Sequence, residues 1–392
     1  MQAGSGSIII NHRSCLIIMK IIVALDSFKG TLGAIEACGI VADTLKQEIK
    51  ADVVSKPMAD GGEGTAGAMI AARGGGWIPQ KVMGPLPDME AEAGFAWFES
   101  EKEALVEMAT ASGITLLSKG LLNPMKTTTY GTGQLIKSAA EYGANKILLA
   151  VGGSGTVDGG VGAAMALGWQ FLDGDGQTIP LGGQGLADIQ SIIRPDSLNL
   201  PPIEVLSDVD NPLCAESGAA NIYGPQKGAT PEMVEQLEKN LNHLSEIVKL
   251  QLNKEIIDIP GAGAAGGLGA GVVAFMDATI SLGIDEIIAY SNILRELTDA
   301  DWVITGEGSF DNQSLMGKVI SGICRATKKT NTKVVVIAGQ VSVEESEYKK
   351  HGILSAIACK KEDMSLDYAM KNSESLLLEA TREFANKYLT ET

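Results

Sequence analysis

With 392 residues, 45% of them apolar, the chain has material for more than one hydrophobic core, so two domains are expected. A formal net charge of −17 argues against nucleic acid and anionic membranes as main partners, since both repel an acidic surface. Five scattered cysteines without a C-x-x-C pair, and three histidines that all lie outside the glycine-rich loops, argue against a disulfide framework, a zinc cluster and a Ser-His-Asp machine. A reducing compartment follows, and any general base is expected to be a carboxylate.

Residues 1–18 contain an apolar stretch broken by Asn11, His12 and Arg13. It is too short to span a membrane and lacks a signal-peptide cleavage pattern, so it reads as an extension before a natural start at Met19. A cytoplasmic protein is expected. KIIVAL at 20–25 is a buried-type strand leading into Asp26-Ser27-Phe28-Lys29-Gly30. Ligands collect at the carboxyl ends of strands in open parallel sheets, so Asp26, Ser27 and Lys29 are candidates to enter such a crevice. The plainer reading of Asp26 is a helix cap. Helical spacing over Thr31–Ile49 and a strand at 51–57 follow. Then ADGGEGT places Asp60 and Glu63 among Gly61, Gly62 and Gly64, where glycine permits close ligand approach.

From Trp77 the pattern changes to strand-like runs without intervening helices, which predicts an antiparallel or mixed region. A helix over Gly131–Tyr142 and a strand at 146–151 lead into Gly152-Gly153-Ser154-Gly155-Thr156-Val157-Asp158-Gly159-Gly160. Consecutive N–H groups there could cradle a phosphate, with hydroxyls of Ser154 and Thr156 as further donors. After a strand at 203–209, Asp208, Asp210 and Asn211 read as a metal or substrate-hydroxyl site, or as an Asx turn before Pro212. Lys227 in GPQKGAT is a point charge suited to phosphate. A long amphipathic helix over Pro231–Asn253 carries His243 on its surface or along a groove.

GAGAAG at 261–266 matches G-x-G-x-x-G, which offers an NAD-dependent oxidoreductase as a rival reading. Pro260 interrupts the required strand–turn join, and a packed glycine loop opening a helix explains it better. The tail alternates strand and helix again: strands at 301–306, 333–339 and 353–359, helices at 317–329 and 365–388. Gly306, Glu307, Asp311, Gln313 and Lys318 follow the first of these strands. Gly317-Lys318 is not a P-loop, because Asn312 and Val319 break that pattern. The matching style of the two ends predicts one discontinuous parallel-sheet α/β domain, residues 19–76 with 285–392, and an inserted second α/β domain, residues 77–284. Glycine for close approach, acids for Mg2+ and lysine for phosphate together point to phosphoryl transfer. The base candidates are Asp60 on the substrate side, Asp158 on the phosphate side and Asp311, with Lys29 among the catalytic residues. Asp208 and Glu307 are the candidates for Mg2+. The three base candidates are expected to open on the crevice between the two domains, whose closure would exclude water.

The segments ALDSFKG, PMADGGEGT, VMGPL, TTTYGTGQLI, GGSGTVDGG, DVDNPLC, GPQKGATPEM, PGAGAAGGLGAG and TGEGSFDNQSLMGK, in this order, resemble the bacterial glycerate kinase family from about Met19 to the end of the chain. The family pattern carries Arg where Ser309 stands and Asn where Val157 stands. The resemblance implies a two-domain α/β fold with a Rossmann-like or flavodoxin-like part. It also implies ATP and Mg2+ as co-reactants and D-glycerate as substrate, with 2-phosphoglycerate favoured over 3-phosphoglycerate as product. A non-catalytic sugar-acid binder on the same fold is a third reading. Homo-oligomerisation stays open.

Overall fold

The structure is a computed structural model and describes residues 19–59, 61–282 and 284–390. The N-terminal extension and Asp60 lie outside the described residues. Two parallel-type sheets organise the α/β fold.

The first sheet has five parallel strands in the spatial order 353–358, 333–338, 302–306, 20–25, 52–55. In chain order this is 2-1-3-4-5, the flavodoxin-like arrangement. Its strands are almost continuously apolar because both faces are covered. Ile21, Val23, Leu25, Ile304, Val335 and Ile337 pack under the outer helices Ala34–Glu48 and Ser373–Tyr388. The alternate residues Ile22, Ala24, Val303, Val334 and Val336 face the other way.

The second sheet has six strands in the order 279–282, 203–207, 146–150, 103–107, 90–98, 76–83. The first four are parallel and the last two antiparallel, as the change of pattern at Trp77 predicts. One face, with Phe95, Val106, Leu149 and Val205, packs on helices Tyr130–Tyr142, Pro231–Leu252 and Ala264–Met276. The opposite face supplies Ala96, Phe98, Leu105, Leu148, Ala150 and Leu206 to the same apolar cluster that covers the inner face of the first sheet. Helices Thr65–Arg73, Ile284–Tyr290 and Val319–Thr327 lie in this cluster, so the layers run α/β/α/β/α.

One expectation needs correction. The closing helix is two helices, Leu366–Lys371 and Ser373–Tyr388, broken at Asn372, whose side-chain amide bonds back to the Tyr368 carbonyl at 2.8 Å. No strand forms over residues 255–260, so GAGAAG lacks the strand–turn–helix context a dinucleotide site requires. Its glycines serve packing, in line with the packed-loop reading. A Cβ on Gly266, which has φ +69°, would stand 2.0 Å from the Thr156 carbonyl oxygen, and one on Gly271 would stand 2.4 Å from that of Gly159. His243 bonds the Ile189 carbonyl at 2.8 Å, and its helix runs along the second sheet's outer layer.

Gly133 marks where the helices Tyr130–Tyr142 and Val161–Ala166 cross: a Cβ there would lie 2.3 Å from the Ala163 oxygen. Gly133→Ala is therefore expected to destabilise the fold by about 1–3 kcal/mol through overpacking. Urea unfolding should show a lower midpoint with an unchanged m value; an unchanged midpoint would mean the helices can separate freely.

Candidate active site

Strands 20–25 and 302–306 are neighbours whose connections leave in opposite directions, which makes the gap beyond their carboxyl ends the switch point of the first sheet. The two following loops are tied there by the Asp26 amide, which donates to the Gly306 oxygen at 2.9 Å. Between them lies a cleft of about 330 Å3 lined on its polar side by Ser27, Lys29, Glu307, Asp311 and Lys318. Five sequence-predicted site residues thus meet in one place. Lys318 Nζ lies 3.9 Å from Glu307 Oε2. Asp311 caps the turn Asn312–Leu315, accepting from the amides of Gln313 at 2.8 Å and Ser314 at 3.2 Å. Gln313 is exposed and not among the cleft residues. Asp26 is buried, and its carboxylate turns back to accept the Ser27 amide at 2.6 Å. Gly306 is required at the strand end, since a Cβ would lie 1.8 Å from the Ile337 oxygen.

A second cleft, of about 270 Å3, opens at the ends of strands 146–150 and 203–207. Gly152, Gly153, Ser154 and the exposed Asp208 line it, together with Tyr223. Much of the expected anion nest is committed to the protein itself. The amides of Gly152, Gly155 and Gly159 donate to the carbonyls of Gly61, Ser112 and Gly266, and that of Gly160 to Asp158 Oδ1. The Gly152–Gly61 bond, 3.0 Å long, brings the 61–63 loop against the 152–155 loop. A Cβ on Gly152 would lie 2.4 Å from Gly62 Cα, so the two backbones touch. The Asp60 side chain itself falls outside the described residues.

Beneath the second loop sit two buried charges. Asp158, 1% exposed, accepts from the Thr129 amide at 2.7 Å, the hydroxyls of Thr129 and Thr128 at 2.9 and 3.2 Å, and the amides of Gly160 and Gly162 at 3.2 and 3.3 Å. Burial pushes its pKa up and these donors pull it back. Such a carboxylate ties the loop to the helix that starts at Tyr130. Lys227, also 1% exposed, donates to Ser154 Oγ at 2.7 Å and the Thr156 carbonyl at 2.8 Å. It holds the loop from below and does not face either cleft, which corrects the expectation of an open phosphate-binding charge. Burial lowers its pKa to about 7, against the raising effect of Asp158.

Several residues escaped the sequence reading. Glu107 ends strand 103–107, is 4% exposed, and accepts the Ala66 amide at the start of helix Thr65–Arg73, directly after the Gly61–Gly64 loop. Burial raises its pKa. A buried acid at a strand end was the available signal. Thr128 and Thr129 hold Asp158, and the run of three threonines before a helix was theirs. Among the described residues no three His, Cys, Asp or Glu side chains cluster as a metal cage, and no helix is long and apolar enough to cross a membrane.

Lys227 gives stability a definite pH dependence. Between about pH 7 and 10.5 the native amine is neutral while the unfolded one is protonated, so this group makes the fold more stable as pH rises through that window. Below it both states carry the proton and the burial cost is fully present. Urea titrations should show a component of up to about 1.4 kcal/mol per pH unit that Lys227→Met lacks. Parallel pH profiles for the two proteins would overturn this account.

Comparison with known proteins gives a consistent result. Residues 21–389 match the model of the glycerate kinase family. The chain is 42% identical to the glycerate kinase of Halalkalibacterium halodurans, covering 93% of this chain and 97% of that one. It is 39% identical to the glycerate 2-kinase of Escherichia coli, covering 94% and 97%. A crystal structure from Salmonella typhimurium LT2, carrying a provisional glycerate kinase 2 designation, superposes with a TM-score of 0.81 at 37% identity over 94% of this chain and 98% of that one. With an α/β fold, parallel sheets and a near full-length match to these relatives, the chain belongs to the glycerate kinase family and is a kinase enzyme.

Proposed function

We propose that the protein transfers the γ-phosphate of ATP to a hydroxyl of D-glycerate, giving 2-phosphoglycerate. The observation that carries this reading is the contact of the 61–63 loop with the 152–155 loop, each at the carboxyl end of a parallel sheet. The names of the relatives supply the substrate, and that of the Escherichia coli relative favours the 2-position. The domain partition we adopt is residues 19–76 with 285–392 against 77–284, with the site where the loops of the two parts meet.

Phosphoryl transfer asks mainly for positioning and charge neutralisation. Lys29 and Lys318 supply ammonium groups to the first cleft. Asp60 is our general base, accepting the proton of the attacking hydroxyl. Asp158 keeps the Gly152–Thr156 loop in register with the 61–63 loop; its five described hydrogen-bond donors suit that task better than proton transfer. Asp311 fixes the turn that carries the cleft's edge. Mg2+ takes one or two carboxylates together with phosphate oxygens, and an acid beside two lysines fits that requirement. Glu307 and Asp208 line different clefts, and we assign the ion to Glu307, which shares its cleft with both lysines. When bound, Mg2+ would neutralise charge on the phosphate oxygens.

Wild-type protein with Mg2+, ATP and D-glycerate should release ADP in a coupled assay, and NMR of the product should place the phosphate on the 2-oxygen. No glycerate-dependent ADP release would sink the kinase reading and favour a non-catalytic sugar-acid binder. Asp60→Asn should lower kcat by about 100-fold or more while leaving the KM for glycerate within a few fold, as loss of a general base does. Wild-type turnover in that variant would remove Asp60 from the mechanism. Glu307→Gln should raise the Mg2+ concentration needed for half-maximal rate more than Asp208→Asn does; the reverse order would move the ion to the second cleft.

A further inference from the structure

The kinase reading leaves open which cleft takes which reactant. Glycerate is a three-carbon hydroxy acid with almost no apolar surface. The purine of ATP is the one group among the reactants that gains from an apolar wall. The first cleft has such apolar residues in its lining. Phe28 and Leu376 are buried in it, 4% and 5% exposed, while Leu366 and Met370 keep 53% and 42% of their surface open. Met370 comes from the short helix Leu366–Lys371, and its Cε reaches the Gly30 backbone: a Cβ on that glycine, which has φ +82°, would stand 3.3 Å from it. The break at Asn372 is what lets this helix fold over the strand ends. Lys29 and Lys318 line the same cleft and supply positive charge for a phosphate chain extending from a base held there.

The second cleft has apolar lining too, but among the described residues no lysine or arginine lines it. Its acid Asp208 repels phosphate, and Lys227 is turned beneath the loop.

We infer that the adenosine end of the nucleotide binds in the first cleft, with the base against Met370 and Leu366 and the phosphates toward Lys29 and Lys318. The inference rests on the kinase reading. Glycerate is then left to the place where the 61–63 and 152–155 loops meet.

Photolabelling of the intact protein with 8-azido-ATP, with and without excess ATP, followed by peptide mapping, tests this. ATP-protected label within residues 359–376 is expected. Protected label within 206–226, or no protected label in 359–376, would overturn the inference. Met370→Glu supplies a second arm, since its side chain is partly exposed and the fold should tolerate the change. It should raise the KM for ATP about tenfold or more and leave the KM for glycerate within about twofold. A shift confined to the glycerate KM would assign the cleft to the acid instead. Absence of glycerate-dependent ADP release from the wild type would refute the kinase reading separately, and protected label in 359–376 would still mark an adenine site.

Discussion

Two loops can meet backbone to backbone only where neither has a side chain at the point of contact. Gly152 lies against Gly61 and Gly62 on these terms, joined by an amide–carbonyl bond of 3.0 Å. The proposed glycerate site depends on this contact, because it brings the 61–63 loop of one sheet against the glycine loop of the other. Any β-carbon at 152 would push the loops apart, and the separation would propagate to every group positioned by either one. A misplacement of about 1 Å is enough to cost a large factor in rate.

The contact is held by ionisable groups that have been taken out of water. Asp158 and Lys227 anchor the 152–160 loop, and Glu107 caps the helix that follows the 61–64 loop. Burial shifts all three towards neutrality, up for the acids and down for the lysine. Each remains polar and hydrogen-bonded, so the directional bonds survive whichever protonation state dominates. The arrangement uses directional bonds to fix the shape of glycine-rich backbone that would otherwise have many conformations.

The alternation of strand and helix at both ends of the chain was legible because buried parallel strands leave long apolar runs such as KIIVAL and KVVVIAG. The change to antiparallel pairing at Trp77 was legible for the converse reason, runs with no helix between them. The loops carrying Lys29, Glu307 and Lys318 were each legible as ligand-loop candidates because each follows a strand of buried type; that these three share one cleft was not legible. Lys227 was not, since a lysine next to glycine looks the same whether it faces solvent or sits beneath a loop. The role of Glu107 was hidden because its partner amide, that of Ala66, is forty-one residues away. GAGAAG was legible as a packed loop because Pro260 breaks the strand–turn join, and its glycines pack against Thr156 and Gly159.

The apolar layer shared by the two sheets also limits how the enzyme can move. Ile22, Ala24 and Val303 from one sheet and Leu148, Ala150 and Leu206 from the other belong to one cluster with the helices between them. Rotating the sheets apart like two jaws would wet that cluster, at a cost that grows with every apolar side chain uncovered. Motions that keep it dry are sliding of the packed helices and displacement of the loops at the strand ends. Reactants would therefore enter and leave through those loops while the framework beneath stays closed, and the two sheets would lose their structure together when the chain unfolds.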